Sequence, residues 1–105
     1  MLFQSLARRG VVISSGSYSG VISANSVMPK TMVLPAGTWL IVTSGYIAYD
    51  NSYHPFAVNL NYGKICKGMS PSCVVKLDAQ STISISNILG REATAVDLVL
   101  FAISL

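Results

Sequence analysis

The chain has 105 residues, the length of one domain, of which 51% are hydrophobic and only 10% charged. A soluble domain carries about 25% charged residues. This composition therefore excludes the polar, highly charged disordered class and leaves Ser, Thr and Asn, or other copies of the chain, to cover the surface. The net charge of +3 comes from seven scattered Lys and Arg against four acids, with no basic stripe interleaved with aromatics, so nucleic acid is not an expected partner.

Residues 1–9, "MLFQSLARR", read as an N-terminal arm or the end of an upstream stalk, ahead of a single domain over residues 10–105. The two arginines follow the apolar residues and no h-region comes after them, so no secretory signal is expected. The chain as given reads as a cytosolic product or a fragment of a longer protein. Strands are expected near 11–15, 20–26 and 30–34, with "SSGSYSG" as turn material. "LPAG" then opens a long strand over 38–49, "TWLIVTSGYIAY", and "YDNSYHP" reads as a loop. In the strand over 56–62, Phe56, Val58, Leu60 and Tyr62 fall on one face and Ala57, Asn59 and Asn61 on the other. Short strands follow at 64–67 and 72–77, where Cys73, Val75 and Leu77 oppose Val74 and Lys76. The strand at 81–88 sets Ile83 and Ile85 against Thr82, Ser84 and Ser86. A period of two, with β-branched residues and no helical repeat, predicts half-buried strands in antiparallel sheets. Turn signals at this spacing predict a sandwich or a barrel.

The last strand, 95–105, does not alternate. Val99, Phe101, Ile103 and Leu105 occupy one face, and Val96, Leu98, Leu100 and Ala102 the other. A domain this small has one core, so the second face is expected to meet another subunit, or else a loop of the same chain. Trp39 and Tyr46, with Leu98, Val99, Leu100, Phe101 and Ile103, are the residues expected in the core or at that interface. The segment is too short to cross a bilayer and contains Asp97, so no membrane span is expected.

Chemistry-bearing residues are few. His54 is the single histidine, and its neighbours Asp50 and Ser52 share its loop rather than separate elements, so no catalytic triad is read. The carboxylates show no catalytic pairing, and no phosphate-binding glycine loop occurs. An enzyme, a cofactor and a metal site are accordingly not expected. Cys66 and Cys73 cannot build a zinc site within one copy. They read as two thiols, or as a cross-strand disulfide over a short hairpin. The best binding candidate is the loop carrying Tyr49, Asp50, Asn51, Tyr53 and His54, where ring faces and polar groups suit a protein or a sugar. The alternative is a hydrophilic connection whose tyrosines pack back on the sandwich.

Several stretches carry a family resemblance over residues 11–105. "VLPAGTWLIVTSGYIAY" resembles the "L-x-A-G-T-Y/W-L-I/V" strand of the tumour-necrosis-factor-like and complement-type globular heads. "NLNYGKI", "VVKLDAQSTISI" and the closing "LVLFAISL" match further segments of that pattern in order. "ISANSVMPKTMVLPAGTW" is similar to a run in phage structural proteins bearing this head. The resemblance implies a two-sheet antiparallel jelly roll that trimerises about a threefold axis near the C-terminal strand. The long receptor- and calcium-binding loops of larger members have no counterpart. The function implied is therefore a non-enzymatic virion protein: a trimeric phage fibre, baseplate or decoration head that contacts other virion proteins and binds a host-surface saccharide or protein. The alternatives are a secreted receptor-binding ligand of the same class and the head of a bacterial collagen-like stalk. The expected location is the virion, assembled in the host cytoplasm, or for the alternatives the extracellular space.

Overall fold

A computed structural model describes residues 9–105, and all regular structure among them is β. In chain order the strands are β1 (Val12–Ser14), β2 (Tyr18–Ile22), β3 (Met32–Leu34), β4 (Gly37–Tyr49), β5 (Ser52–His54), β6 (Phe56–Leu60), β7 (Gly63–Gly68), β8 (Cys73–Leu77), β9 (Ser81–Asn87) and β10 (Ala93–Ser104). Nine of them overlap the expected strands, but β2 begins within the stretch expected as a turn and ends at Ile22, and Asn61 and Tyr62 form the turn after β6 instead of extending it. The tenth, β5, lies in the stretch expected to be a loop. The arm expected over residues 1–9 lies, apart from Arg9, outside the described residues.

Every strand pairing is antiparallel. A six-stranded sheet is built on β10 and β4, which lie side by side. β1 and β2 share the free edge of β10, and β8 and β5 share the free edge of β4. A four-stranded sheet has the order β3-β9-β6-β7. No helix among the described residues is long and apolar enough to cross a membrane.

The two sheets close on one hydrophobic cluster. Trp39, Ile41 and Ile47 of β4, Leu98 and Leu100 of β10, Phe56 and Val58 of β6, and Ile83 and Ile85 of β9 are all fully buried in it. Burial of such side chains contributes roughly 1.5–3 kcal/mol each, which makes the pleat register of β4 and β10 the main constraint on the fold. Trp39 keeps its polar handle satisfied, Nε1 donating to the Pro35 carbonyl at 3.1 Å. No buried side-chain polar atom among the described residues is left without a partner.

The register of β10 departs from simple alternation. Between Val96 and Val99 its pairing with β4 shifts, and Asp97 takes a left-handed conformation at φ 47°. Opposite this bulge sits Gly45 at φ 87°, where a Cβ would collide with the Asp97 carbonyl and approach the Leu98 Cα to 2.7 Å. The absence of a side chain at Gly45 thus lets two residues of β10 oppose one of β4. The bulge amide is not orphaned, since Asp97 N donates to Ser19 Oγ at 2.9 Å. One expectation is corrected here. Val96 does not share a face with Leu98, Leu100 and Ala102. The extra residue flips the pleat, and Val96 pairs with Tyr46 on the outer face, where Val99 pairs with Ser44.

Candidate functional site

The stretch "YDNSYHP" forms a tight hairpin, which corrects the loop expectation. Tyr49 pairs with Ser52, so Asp50 and Asn51 alone make the turn, and both have positive φ, 52° and 60°. That is the backbone of a type I′ turn, which Asp and Asn tolerate better than most residues. His54 then pairs with Ile47 and Tyr53 with Ala48.

This pairing separates the candidate residues onto two faces. Tyr49 packs against the core cluster, with the His54 ring 6.0 Å away at 59°. His54 Nε2 lies 3.2 Å from the Tyr49 carbonyl oxygen, which accepts when that nitrogen carries the proton. Arg91 covers the Tyr49 ring, its Cζ 5.9 Å from the centroid. Tyr53 lies on the opposite face, 61% exposed, with its ring 4.3 Å from that of Tyr46. The hydrogen bond with Tyr53 is the main cause that raises the Tyr46 phenol above its ordinary range. Tyr53 therefore does not join Tyr49 and His54 in one patch, because neighbouring strand residues point to opposite sides.

The hairpin turn forms one wall of a groove of about 300 Å³ lined by Ala48, Tyr49, Asp50, Asn51, Glu92, Ala93 and Thr94. Tyr49, Asp50 and Asn51 were expected from the sequence. Glu92, Thr94 and the capping Arg91 were missed, because "LGREA" reads as turn material and only the pairing of β10 with β4 brings it beside the hairpin. Its adjacent Arg and Glu were the available signal. No three His, Cys, Asp or Glu side chains among the described residues gather into a group able to hold a metal ion.

A second surface feature is the outer face of the six-stranded sheet. Register places Val12, Ile103, Leu40 and Val74 in one row across four strands, with Phe101 beside Val42 in the next. Val99, Val96 and Tyr46 continue the apolar strip. The face of the other sheet that points away from the core is built differently, from Ala57, Asn59, Thr82, Ser84 and Ser86, and its centre is buried, with Asn59 Nδ2 donating to Ser84 Oγ at 3.3 Å. Of the expected core or interface residues, Trp39, Leu98 and Leu100 face the core, while Tyr46, Val99, Phe101 and Ile103 face outward. Comparison of the chain with protein-family models, with curated proteins and with solved structures finds no match.

Proposed function

We propose that the chain is a non-enzymatic virion protein, a homotrimeric jelly-roll head of the tumour-necrosis-factor-like kind, serving as a phage fibre, baseplate or decoration component. The observation that carries this reading is the apolar outer face of the six-stranded sheet. A monomer rarely exposes a contiguous apolar patch beyond a few hundred Å², and here both central strands present Val, Leu, Ile and Phe on the side away from the core. Covering that face with equivalent faces of two further copies removes it from water. The threefold symmetry comes from the resemblance of "LPAGTW" and "LVLFAISL" to trimeric heads. Strand order supports the jelly roll. With β1 and β2 taken as one edge strand and β5 as an appended hairpin, the eight strands run 1-8-3-6 and 2-7-4-5, an order that two Greek keys generate.

The attachment part of the reading rests on the groove beside Tyr49. Asp50, Asn51, Glu92 and Thr94 offer acceptors and donors to sugar hydroxyls, and a volume of about 300 Å³ suits a ligand of small size. Three such grooves on one rigid trimer add avidity to a shallow site. Light scattering on the full chain at micromolar concentration tests assembly. Three times the 11.1 kDa chain mass is expected, and a species of 11.1 kDa overturns the trimer. The double variant Glu92→Ala, Thr94→Ala tests attachment. With the trimer intact, adsorption to host cells falls roughly tenfold or more, and unchanged adsorption removes the groove from the reading.

A further inference from the structure

Cys66 and Cys73 are the only cysteines in the sequence. A cross-strand pair over a hairpin would put them in one sheet, but they sit in different sheets. Cys66 of β7 pairs with Val58 of β6, and Cys73 of β8 pairs with Ile41 of β4. Val58 and Ile41 are both fully buried core residues, so both sulfurs turn inward and pack against the core from the two sheet edges. There they meet, with Cys66 Sγ donating to Cys73 Sγ at 3.2 Å. Both residues are free thiols and partly exposed.

We propose that Cys66 and Cys73 are the site of an intramolecular disulfide that closes in an oxidising medium and ties the edge of one sheet to the edge of the other. A disulfide needs its sulfurs at about 2.05 Å, so an approach of roughly 1 Å completes the bond. The strands concerned are free to give, since among the described residues β7 pairs only with β6 and β8 only with β4. The connecting segment is held in place meanwhile, as Thr43 Oγ1 donates to the Pro71 carbonyl at 2.7 Å. Among the described residues each of these two strands is paired on one side only, and edge strands are where a sheet opens locally with least loss of hydrogen bonds.

The chemistry balances with a low-molecular-weight disulfide such as oxidised glutathione as oxidant. The Cys66 thiolate attacks one sulfur of the oxidant and expels a thiolate, giving a mixed disulfide on Cys66. Cys73 then loses its proton, attacks Cys66 Sγ and expels the second thiolate. The protein gives up two electrons and two protons, and the oxidant becomes two thiols. Burial, and after it the neighbouring Cys66, pushes the Cys73 thiol up to about 12. The second step is therefore slow at neutral pH. For the same reason Cys73 is a poor leaving group when a thiol attacks Cys66 Sγ, which slows that route of reopening. This describes a clasp made once outside a reducing cytoplasm, not a rapid switch. It stands apart from the trimer reading.

The full chain is purified with reductant, transferred to oxidised glutathione, denatured in alkylating agent and digested with trypsin. Cleavage after Lys64, Lys67 and Lys76 puts the two cysteines on separate peptides. The expected product is residues 65–67 joined to residues 68–76, two hydrogens lighter than their sum, from a chain of unchanged intact mass otherwise. The oxidised protein melts roughly 10 °C above the reduced one, and this gap is absent in Cys66→Ser and in Cys73→Ser. Alkylation of both cysteines after oxidation, a glutathione adduct alone, or a link between two chains overturns the proposal. So does a cross-link without a melting shift, since no clasp then exists. Should either serine variant fail to fold, Cys66→Ala and Cys73→Ala serve in its place.

Discussion

Asn87 shows how much of the fold hangs on one amide. It is 1% exposed, and its Nδ2 donates to the carbonyls of Ile22, Ser23 and Arg91 at 3.2, 3.2 and 2.9 Å. Its Oδ1 accepts from Leu89 N at 3.0 Å. One side chain thus ties the end of β2 to the turn leading into β10. Asn87→Ala leaves those groups unsatisfied in the interior and is expected to cost about 2–4 kcal/mol. Asn87→Asp keeps the shape but points a carboxylate at three carbonyl oxygens, and the urea midpoint should fall further still near neutral pH. A midpoint for Asn87→Asp equal to that of the native chain would remove this account. Cys73 gives the second residue-scale prediction. Its thiol titrates near 9 in an ordinary setting and about 12 in the reduced folded protein. Above pH 9 the unfolded chain loses a proton that the folded chain retains, so stability declines as pH rises from about 9 towards 12. The raised Tyr46 phenol adds in the same direction at higher pH. Between pH 8 and about 10.5 the reduced native chain should lose more melting temperature than reduced Cys73→Ser, and equal losses would refute the assignment.

Among the elements, β4 and β10 are matched by a glycine and a bulge. Gly45→Ala places a Cβ on the Asp97 backbone and requires a φ of 87° from an L-residue. Backbone cannot yield as a flexible side chain would, so the variant should lose about 3 kcal/mol or more, or fail to fold. A thermal melt within 2 °C of the native chain would show that the bulge is not held by this contact. The same elements mark the limit of what the sequence made legible. Strands β6, β8 and β9 follow from alternation, because a pleat that buries one face imprints its period on the chain, and the others except β5 follow from apolar or β-branched runs between turn residues. β5 left no such print: it has three residues, and its turn is Asp-Asn without glycine. The bulge erased the period within β10, although a lone Asp97 in an apolar run was a sign that the strand is not continuous. At the candidate site, Tyr49, Asp50 and Asn51 were legible as a polar aromatic cluster. The separation of Tyr53 from them follows from the pleat of β5, which was not foreseen. Glu92 and Thr94 are 37 or more residues away from the hairpin in sequence, and only strand pairing brings them to it.

For the whole molecule, the two faces of β10 make opposite demands, and this separates folding from assembly. Leu100 is fully buried and opposite Thr43 in β4. An aspartate there is a charge in the core without a partner, and Leu100→Asp should abolish the β-type dichroism spectrum altogether. Phe101 points the other way, half-buried beside Val42 and Ser14 in a single chain. An aspartate at this position is solvated in the monomer and keeps the core intact. In a trimer packed through this face it recurs three times near the axis, replacing aromatic contacts worth roughly 1.5–3 kcal/mol per chain by like charges. The expected result for Phe101→Asp is a folded species of 11.1 kDa by light scattering, with a native-like dichroism spectrum. Phe101→Thr, uncharged and well suited to a strand, should weaken the trimer without dissolving it, so that its mass falls on dilution. A Phe101→Asp protein that keeps three times the chain mass would place the interface elsewhere on the surface. One that unfolds together with Leu100→Asp, while Phe101→Thr stays trimeric at every concentration, would show that the outer face serves the fold of the single chain.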